Sequence, residues 1–321
     1  ALAALAWTVH LALALRRPRC GVVVAYNPFT ALGVALAKLL GRAPPLVVRV
    51  IGNIASKALV VHRSQRRARL LAAVEGFALR HADLVVPMGA FTRDLARRAG
   101  APEDRIVALP HPTRWFGTEV DGGGEAGGPA RIVAAGRLVA SKGFDVLLRA
   151  FAELAREVDD VVLEIAGEGP ERERLEGLAG ELGLRRQVRF HGWLPADRMP
   201  DFFAGALVSV LPSRVEEGLG MVLVEAGMAG CALVGSDLGG IRDIVRPLET
   251  GLLVPPDDPA ALADALRRLL ADPHEARRLG AGARDAAVAW IGDREDALSH
   301  LRQRIDELHR DRPARRLGRA R

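Results

Sequence analysis

The stretch LVSVLPSRVEEGLGMVLVEAGMAG, residues 207–230, joins an apolar run, a polar loop with two glycines and a second apolar run. The first run predicts a buried strand, since it is short and rich in Val and Leu. Gly218 and Gly220 argue against a helix through the whole stretch. A helix that begins near Gly220 fits better, with Glu217 in the preceding loop and Glu225 about a turn and a half inside the helix. The stretch is therefore predicted to be a strand–loop–helix unit.

The same alternation of short apolar runs and helical segments extends over most of the chain. The predicted strands lie in CGVVVAYN, PLVVRVIGN, DLVVPM and RIVALPH before residue 117, and in RIVAAG, VVLEIAG, QVRFHGW, LVSVLPS, CALVGSD and GLLVPP after residue 130. A helical segment follows nearly every strand. Val-rich strands in this arrangement are typical of a parallel sheet that is covered on both faces. The predicted fold class is α/β.

A glycine-rich stretch, GTEVDGGGEAGGPA at residues 117–130, interrupts this alternation and predicts a flexible linker between two domains. The chain then divides into an N-terminal domain, 1–116, a C-terminal domain, 131–285, and a closing helix with a basic tail, 286–321. Each domain is predicted to hold a doubly wound parallel sheet. In such sheets ligands bind beyond the carboxyl ends of the strands, often where two domains meet.

The chain has 321 residues and a net charge of +6, most of which lies at its end. Residues 301–321 carry eight arginines against three acids, which leaves the rest of the chain near neutrality. Such a charge run is usually a solvated, frayed end, and the alternative is peripheral contact with anionic lipid headgroups on the inner face of a membrane. No aromatic residues are interleaved with the arginines, so nucleic-acid binding is not expected.

Cysteine usage and the opening run indicate a cytoplasmic protein. Cys20 and Cys231 lie far apart and in no metal-ligand spacing, which predicts buried thiols in a reducing compartment. The run ALAALAWTVHLALAL is too short to span a bilayer, and no positive charge precedes it. It predicts a buried amphipathic helix rather than a membrane anchor or a signal peptide.

Two loops at predicted strand ends carry groups that suit a phosphate. GRLVASKG follows a strand and places Arg137 and Lys142 at its carboxyl end. The helix that begins near Gly220 presents free N–H groups and the positive end of its dipole. Glu217 and Glu225 are placed to accept hydrogen bonds from ligand hydroxyls. Taken alone, each residue is explained more simply as a solvated charge or, for Glu225, as a carboxylate near a helix N-terminus.

Taken together, the motifs resemble a known family. GRLVASKGFDVLLRAF, LEIAGEGPERERLE, VRFHGWLP, LPSRVEEGLGMVLVEAGMAG and LGGIRDIVRPLETGLLVPPDDPAALADAL resemble, in order and spacing, the nucleotide-binding domain of retaining glycosyltransferases of family 4. The resemblance covers essentially all of residues 130–290, includes the Glu-x7-Glu pattern of that family at Glu217 and Glu225, and extends more weakly upstream. It implies the GT-B fold, in which two Rossmann-like domains face each other across a cleft, with the acceptor on the first and the nucleotide sugar on the second.

The resemblance also implies roles for individual residues. Arg137 and Lys142 would hold the donor diphosphate and stabilise it as leaving group, Glu217 would contact the donor sugar, and Glu225 would bind the ribose hydroxyls. Backbone amides would meet the distal phosphate or the sugar, and a short segment after a strand would flank the base. The full implied donor site consists of Gly136, Arg137, Lys142, His191, Gly192, Trp193, Glu217, Leu219, Gly220, Met221, Val222 and Glu225, with Arg137, Lys142 and Glu217 as its catalytic members.

The implied reaction is transfer of a sugar, with retention, from a UDP- or GDP-linked donor to a glycan, a lipid-linked acceptor or a small molecule. No Asp-x-Asp is present, so neither a metal ion nor a cofactor is expected. Two features depart from the family pattern. No glycine-rich loop opens the first domain, which predicts an N-terminal truncation, and Ile51, Gly52 and Asn53 stand where many members carry a histidine. Two alternatives stay open: a protein that binds nucleotide sugar without transfer, and a nucleotide-sugar epimerase of the same fold.

Overall fold

The computed structural model describes residues 8, 11, 15, 21–40, 43–53, 64–107, 128–292 and 294–310. Within it the chain forms two units, Ala1–His111 together with Gly292–Arg321, and Pro112–Ile291. Most of the predicted linker, 117–127, lies outside the described residues, as does most of the predicted opening helix. Of that opening run, Leu15 is described and is buried.

The first unit is built around a three-stranded parallel sheet in the order β1-β2-β3. Its elements are β1 (Val23–Ala25), α1 (Pro28–Leu39), β2 (Leu46–Val50), α2 (Gln65–His81), β3 (Leu84–Pro87), α3 (Ala90–Arg98) and a C-terminal helix that is introduced below as α11. The side chain of Asn27 accepts a hydrogen bond from the amide of Thr30 and so caps α1, which has proline at its first position. The predicted strand at 105–111 is represented by a single bridge from Ile106 to Val85, and residues 108–111 lie outside the described part.

The second unit holds a six-stranded parallel sheet in the order β6-β5-β4-β7-β8-β9. Its elements are β4 (Ala130–Ala135), α4 (Phe144–Leu154), β5 (Val161–Ala166), α5 (Arg172–Glu181), β6 (Val188–Gly192), α6 (Met199–Phe203), β7 (Val208–Leu211), α7 (Met221–Met228), β8 (Ala232–Ser236), α8 (Ile241–Ile244), β9 (Gly251–Val254), α9 (Pro259–Ala271) and α10 (Pro273–Ile291). The predicted α/β class, with two parallel sheets, is confirmed.

The order of the second sheet reverses direction between β4 and β7. Only two residue pairs join these strands, Ile132 with Val208 and Val133 with Ser209. The last residues of β4 and β7 are therefore not paired with each other. A doubly wound sheet binds its ligands at such a switch point, because the loops that leave the two strands run to opposite faces of the sheet.

The predicted closing helix is interrupted near its start. Gly292 has a left-handed φ of +56°, which ends α10 at Ile291, and a separate helix, α11 (Arg294–Arg310), follows. Residues 301–310 are thus not a frayed end: Leu301, Ile305 and Leu308 pack against the core of the first unit. Their spacing places them on one face of the helix. The arginines at 311–321 lie outside the described residues.

Among the helices described, none is long and apolar enough to cross a membrane. Cys231 is fully buried, as predicted, and burial raises the pKa of its thiol to about 12. Cys20 lies outside the described residues.

Candidate functional site

The loops that follow β4 and β7 touch at the switch point. Gly143 has a φ of +67°, and a Cβ placed on it would lie 2.0 Å from the carbonyl oxygen of Pro212. The amide of Arg214 donates to the carbonyl of Ser141 at 2.8 Å. Only glycine allows this backbone conformation and this approach together without strain. The two loops that the sequence analysis selected are therefore parts of one site.

Lys142 and Glu217 meet across this contact. Lys142 ends a short 3₁₀ turn, and its Nζ donates to Glu217 Oε1 at 2.8 Å. The hydroxyl of Ser213, which is fully buried, donates to the same carboxylate oxygen at 2.7 Å. The residue predicted to bind phosphate and the residue predicted to bind the sugar thus lie within hydrogen-bond distance of each other.

Arg137 lies in the same loop as Lys142 but stands apart from this pair. Its side chain is exposed and has no hydrogen-bond or ion-pair partner among the residues described. Gly136, directly before it, has a φ of +153° and donates its amide to Ala166 at 3.0 Å. Among the residues described, Arg137 is therefore an unpaired cation on an anchored turn.

The turn AGEGP at 166–170 anchors the Arg137 loop. Leu138 donates its amide to the carbonyl of Glu168 at 2.9 Å and accepts from the amide of Glu171 at 3.0 Å. A Cβ on Gly167 would lie 1.8 Å from the carbonyl oxygen of Gly136. From sequence this turn is a plain strand-to-helix connection. In the sequence, only the glycines of this turn indicate that its backbone lies close to the backbone of the Arg137 loop.

The N-terminus of α7 presents unbonded amides. The helix begins at Met221 with Gly220 before it at a φ of +81°, which confirms the predicted helix start. Within the described part of the chain, none of the amides of Leu219, Gly220, Met221 and Val222 donates to a backbone carbonyl. Free N–H groups at the positive end of a helix dipole form a site for an anion.

The loop between β8 and α8 holds the Glu217 loop from the other side. Gly240 donates its amide to the carbonyl of Glu217 at 2.9 Å, and a Cβ on Gly240 would lie 2.2 Å from the carbonyl oxygen of Gly218. The backbone on either side of Glu217 is therefore fixed, and its side chain is held by Lys142 and Ser213.

Glu225 is the fifth residue of α7, and burial raises the pKa of its carboxyl to about 7. Across the residues described, no side chain or amide donates to its carboxylate. A helix dipole that stabilised this carboxylate would lower the pKa instead. Burial therefore outweighs any stabilisation of this carboxylate by the helix dipole.

Residues 191–193 lie at the end of β6, the edge strand. The His191 ring packs edge-on against Phe202, and its Nε2 is 3.4 Å from Glu164 Oε2. Gly192 has a φ of +73°, and its carbonyl accepts from the amide of Gly167 at 2.7 Å. Trp193 is 71% exposed, unusually high for a side chain of this size. The segment joins the turn at 166–170 and offers a free aromatic ring.

The first unit has a pocket of its own at the carboxyl ends of β1 and β2. Tyr26, Asn27, Arg49, Gly52 and Glu75 are among its lining residues. Burial lowers the pKa of Arg49, whose Nη2 is buried without a hydrogen-bond partner. Burial also raises the pKa of Glu75 to about 7. Buried polar atoms without partners call for a ligand or bound water. Sequence reasoning missed both residues, because nothing in their spacing distinguishes them.

The arrangement contains no candidate metal site: nowhere in the described ranges do three His, Cys, Asp or Glu side chains gather as a metal would require. The chemistry available at the switch point is that of cations, a helix N-terminus and two carboxylates.

Two family models match the chain. Residues 118–286 match the family model described as "Glycosyl transferases group 1", and residues 1–112 match the model described as "Glycosyl transferase 4-like domain". The first match contains the whole of the site at the switch point, and the second contains the pocket of the first unit.

Two curated relatives are glycosyltransferases of named specificity. The GDP-mannose-dependent alpha-(1-6)-phosphatidylinositol monomannoside mannosyltransferase of Mycolicibacterium smegmatis is 34% identical over 221 residues, which are 64% of this chain and 58% of that protein. The D-inositol 3-phosphate glycosyltransferase of Nocardia farcinica is 33% identical over 308 residues, which are 92% of this chain and 64% of that protein. The chain thus spans about three fifths of the length of these relatives.

A solved structure with the same fold is sucrose-phosphate synthase from Thermosynechococcus elongatus, with a TM-score of 0.76, 24% identity, and coverage of 95% of this chain and 78% of that one. A second is Anabaena HepE in complex with UDP, with a TM-score of 0.73, 18% identity, and coverage of 94% and 82%. These likenesses confirm the GT-B fold.

Proposed function

The chain belongs to the glycosyl transferases group 1, the family-4 type of glycosyltransferase, and from this premise we propose that it transfers a sugar from a nucleoside-diphosphate sugar to an acceptor hydroxyl. One observation carries the proposal. The cation Lys142 and the unbonded amides at the start of α7 lie on the two loops that leave the switch point and touch there. Together they form a site for a pair of phosphates.

In the proposed reaction the bond between the anomeric carbon and the distal phosphate oxygen breaks, and a bond from that carbon to the acceptor oxygen forms. The proton of the acceptor hydroxyl passes to the departing phosphate. Negative charge grows on the departing diphosphate as the sugar becomes oxocarbenium-like. Fixed donors aimed at this charge stabilise the transition state more than the ground state. Arg137, Lys142 and the α7 amides supply such donors. We propose that retention and independence from metal ions, which the family resemblance implies, hold here.

The remaining residues would hold the rest of the donor. Glu225 would accept hydrogen bonds from the ribose hydroxyls, which its buried and unpartnered carboxylate supports. Residues 191–193 would flank the base, with the exposed ring of Trp193 at its edge. Glu217 would contact the sugar once Lys142 turns to the phosphates.

The donor base and the acceptor are further parts of the proposal. The GDP-mannose-dependent mannosyltransferase relative supports GDP as the donor nucleotide, and the HepE complex supports UDP. We propose a polar acceptor, a glycan, a lipid-linked sugar or a small molecule, bound in the first unit, which the unpartnered Arg49 guanidinium supports. We also propose a cytoplasmic location, with the arginines of 311–321 available for peripheral contact with an anionic membrane.

Titration of the chain with UDP, UMP, GDP and GMP at one fixed salt concentration tests the proposal. A phosphate pair at the switch point predicts that one diphosphate binds at least about tenfold more tightly than its monophosphate, since the second phosphate meets charged and amide donors. Incubation with UDP- and GDP-sugars should then release nucleotide slowly in the absence of acceptor. Equal affinity for mono- and diphosphates would contradict the proposed donor site, and tight binding without any nucleotide release would favour a binding protein.

A further inference from the structure

Arg214 follows Ser213 in the loop after β7, and it holds the turn that carries Lys142. Its Nη1 donates to the carbonyl of Ala140 at 3.0 Å, and its own amide donates to the carbonyl of Ser141 at 2.8 Å. Its guanidinium forms a two-bond pair with the carboxylate of Asp145 at 2.7 and 2.9 Å. Arg214 is therefore bonded to the chain on both sides of Lys142.

The same guanidinium reaches a third loop, beyond β9. Its Nε lies 2.8 Å from Asp257 Oδ1, and its Nη2 lies 2.8 Å from the same oxygen. Asp257 has a φ of +60°, a left-handed conformation that is uncommon for a residue with a side chain. Arg214 thus joins the loops that leave β4, β7 and β9, all at the carboxyl end of one sheet.

The contacts of Arg214 leave it no group for a ligand. A guanidinium has five N–H donors. Two bonds to Asp145, two contacts with Asp257 and one bond to Ala140 account for all of them. Two carboxylates also neutralise its charge. Burial alone would raise the pKa of Asp145, but the bonds and charge of Arg214 outweigh it and hold that pKa below its usual range. Any effect of Arg214 on a phosphate must pass through the residues that it holds.

We propose that Arg214 is a positioning residue of the donor site. It fixes the turn of residues 140–142 so that Lys142 Nζ faces the Glu217 loop and the start of α7, and it thereby sets the preference for a diphosphate over a monophosphate. This inference rests on the proposed function. Arg214 touches neither phosphate nor sugar in this role.

The test is the ratio of monophosphate to diphosphate dissociation constants, measured with UMP, UDP, GMP and GDP in the 321-residue chain. Arg214→Lys keeps the positive charge. The lysine ammonium carries all its N–H donors on one nitrogen, so it cannot bond to two carboxylates and a carbonyl at the same time. We expect Arg214→Lys to lower the ratio about threefold through misplacement of Lys142, with monophosphate affinity nearly unchanged. Loss of affinity for both ligands by the same factor would overturn the inference, since that result indicates a purely structural role.

Arg267 provides a matched control in the same unit. It makes a two-bond pair with Glu157 at 2.7 and 3.0 Å and contacts a second carboxylate, Asp264. Arg267→Lys removes a similar set of ion pairs, but from the surface of α9 rather than from the switch point. It should leave the ratio unchanged, and a fall in the ratio equal to that of Arg214→Lys would overturn the inference.

A double-mutant cycle with Lys142 tests the route. If Arg214 acts through Lys142, then Arg214→Lys should cause little further loss of the ratio in a Lys142→Ala background. Additive losses would overturn this route. If Arg214→Lys does not fold, Asp257→Asn provides a second test, because it weakens only the exposed side of the network around Arg214. This variant should also lower the ratio, by a smaller factor. An unchanged ratio would overturn the inference.

The failure of the inference can be told apart from failure of the proposed function. A wild-type chain that does not prefer diphosphates refutes the donor site and this inference with it. A wild-type chain that prefers diphosphates, together with an unchanged ratio in Arg214→Lys, refutes the role of Arg214 alone.

Discussion

Lys142 Nζ lies 2.8 Å from Glu217 Oε1, so the cation proposed for the phosphates and the carboxylate proposed for the sugar neutralise each other. The pair is partly buried, with side chains that are 23% and 12% exposed. If a diphosphate engages Lys142 in place of Glu217, the Glu217 carboxylate becomes available to sugar hydroxyls. Donor binding and sugar contact would then be coupled through one ion pair.

Glu217→Gln should strengthen the binding of a free diphosphate about twofold to fivefold. An exposed or partly exposed ion pair contributes about 0.2 to 1 kcal/mol. Wild type loses this free energy when Lys142 turns to the phosphates, and the variant has no such ion pair to break. Release of nucleotide from a nucleotide sugar should fall in the same variant. The measurement is titration with UDP and GDP, with Glu157→Gln, which loses its pair with Arg267, as control. Weaker diphosphate binding by Glu217→Gln would show that the pair supports the phosphate site rather than competing with it.

Glu225→Gln should weaken nucleotide binding by about 1 to 3 kcal/mol, as expected for loss of a buried acceptor of ribose hydroxyls. It should also change stability with pH. Burial raises the pKa of Glu225 to about 7 from 4.5, so the folded state holds an extra proton between these values. That stabilisation is fully present below pH 4.5 and is lost as pH rises through 7. The variant should therefore be more stable than wild type at pH 8 and similar to it at pH 4.5.

Glu75→Gln is the matched control for Glu225. Its carboxyl also has a pKa raised to about 7 by burial, but it lies in the pocket of the first unit. The variant should show the same gain in stability at pH 8 and unchanged nucleotide affinity. Thermal unfolding at both pH values and nucleotide titration decide between the roles. A Glu225→Gln variant with lowered stability and normal affinity would restore the helix-dipole explanation.

Arg137→Ala should erase most of the preference for diphosphate over monophosphate and should lower turnover more than it raises the apparent KM. The reason is that charge on the leaving phosphate is greatest in the transition state. Arg156 is the control, because it is also exposed and lacks an ion-pair partner in the described residues, but follows the C-terminal end of α4 rather than the carboxyl end of a strand. If Arg137→Ala and Arg156→Ala give the same small effect, Arg137 is a surface charge and the phosphates depend on Lys142 and the amides.

Gly143→Ala should destabilise the second unit by at least about 1 to 3 kcal/mol, from a left-handed backbone and a steric clash with the Pro212 carbonyl. Gly177→Ala in α5 is the contrast, because its Cβ would meet nothing within 4 Å and its helical position favours alanine by about 0.5 to 1 kcal/mol. Chemical denaturation measures the free energy of unfolding, which should fall in Gly143→Ala and rise in Gly177→Ala. Equal stability of Gly143→Ala and wild type would mean that the loops after β4 and β7 do not need to touch.

Local sequence was sufficient for the architecture. The Val-rich runs and the helical segments between them gave nearly every strand and helix of both sheets, and Gly220 marked the start of α7. These features depend on neighbours within a few positions, through side-chain periodicity and backbone freedom. Two details of the closing segment were not predicted. Gly292 separates α10 from the closing helix, and the apolar face at Leu301, Ile305 and Leu308 packs residues 301–310 against the first unit, whereas the charge run favoured a solvated, frayed end.

The sequence by itself determined which residue types stand at the strand ends, and the family resemblance named their roles. Only the tertiary structure decided how they act on one another. Lys142 and Glu217 are 75 positions apart, and no local pattern shows that they pair or that Arg214 ties their loops together. The pKa of Glu225 likewise depends on how deeply packing buries it. Electrostatic pairing and desolvation depend on distance and burial in three dimensions, and these are fixed only when distant loops fold onto the same edge of a sheet.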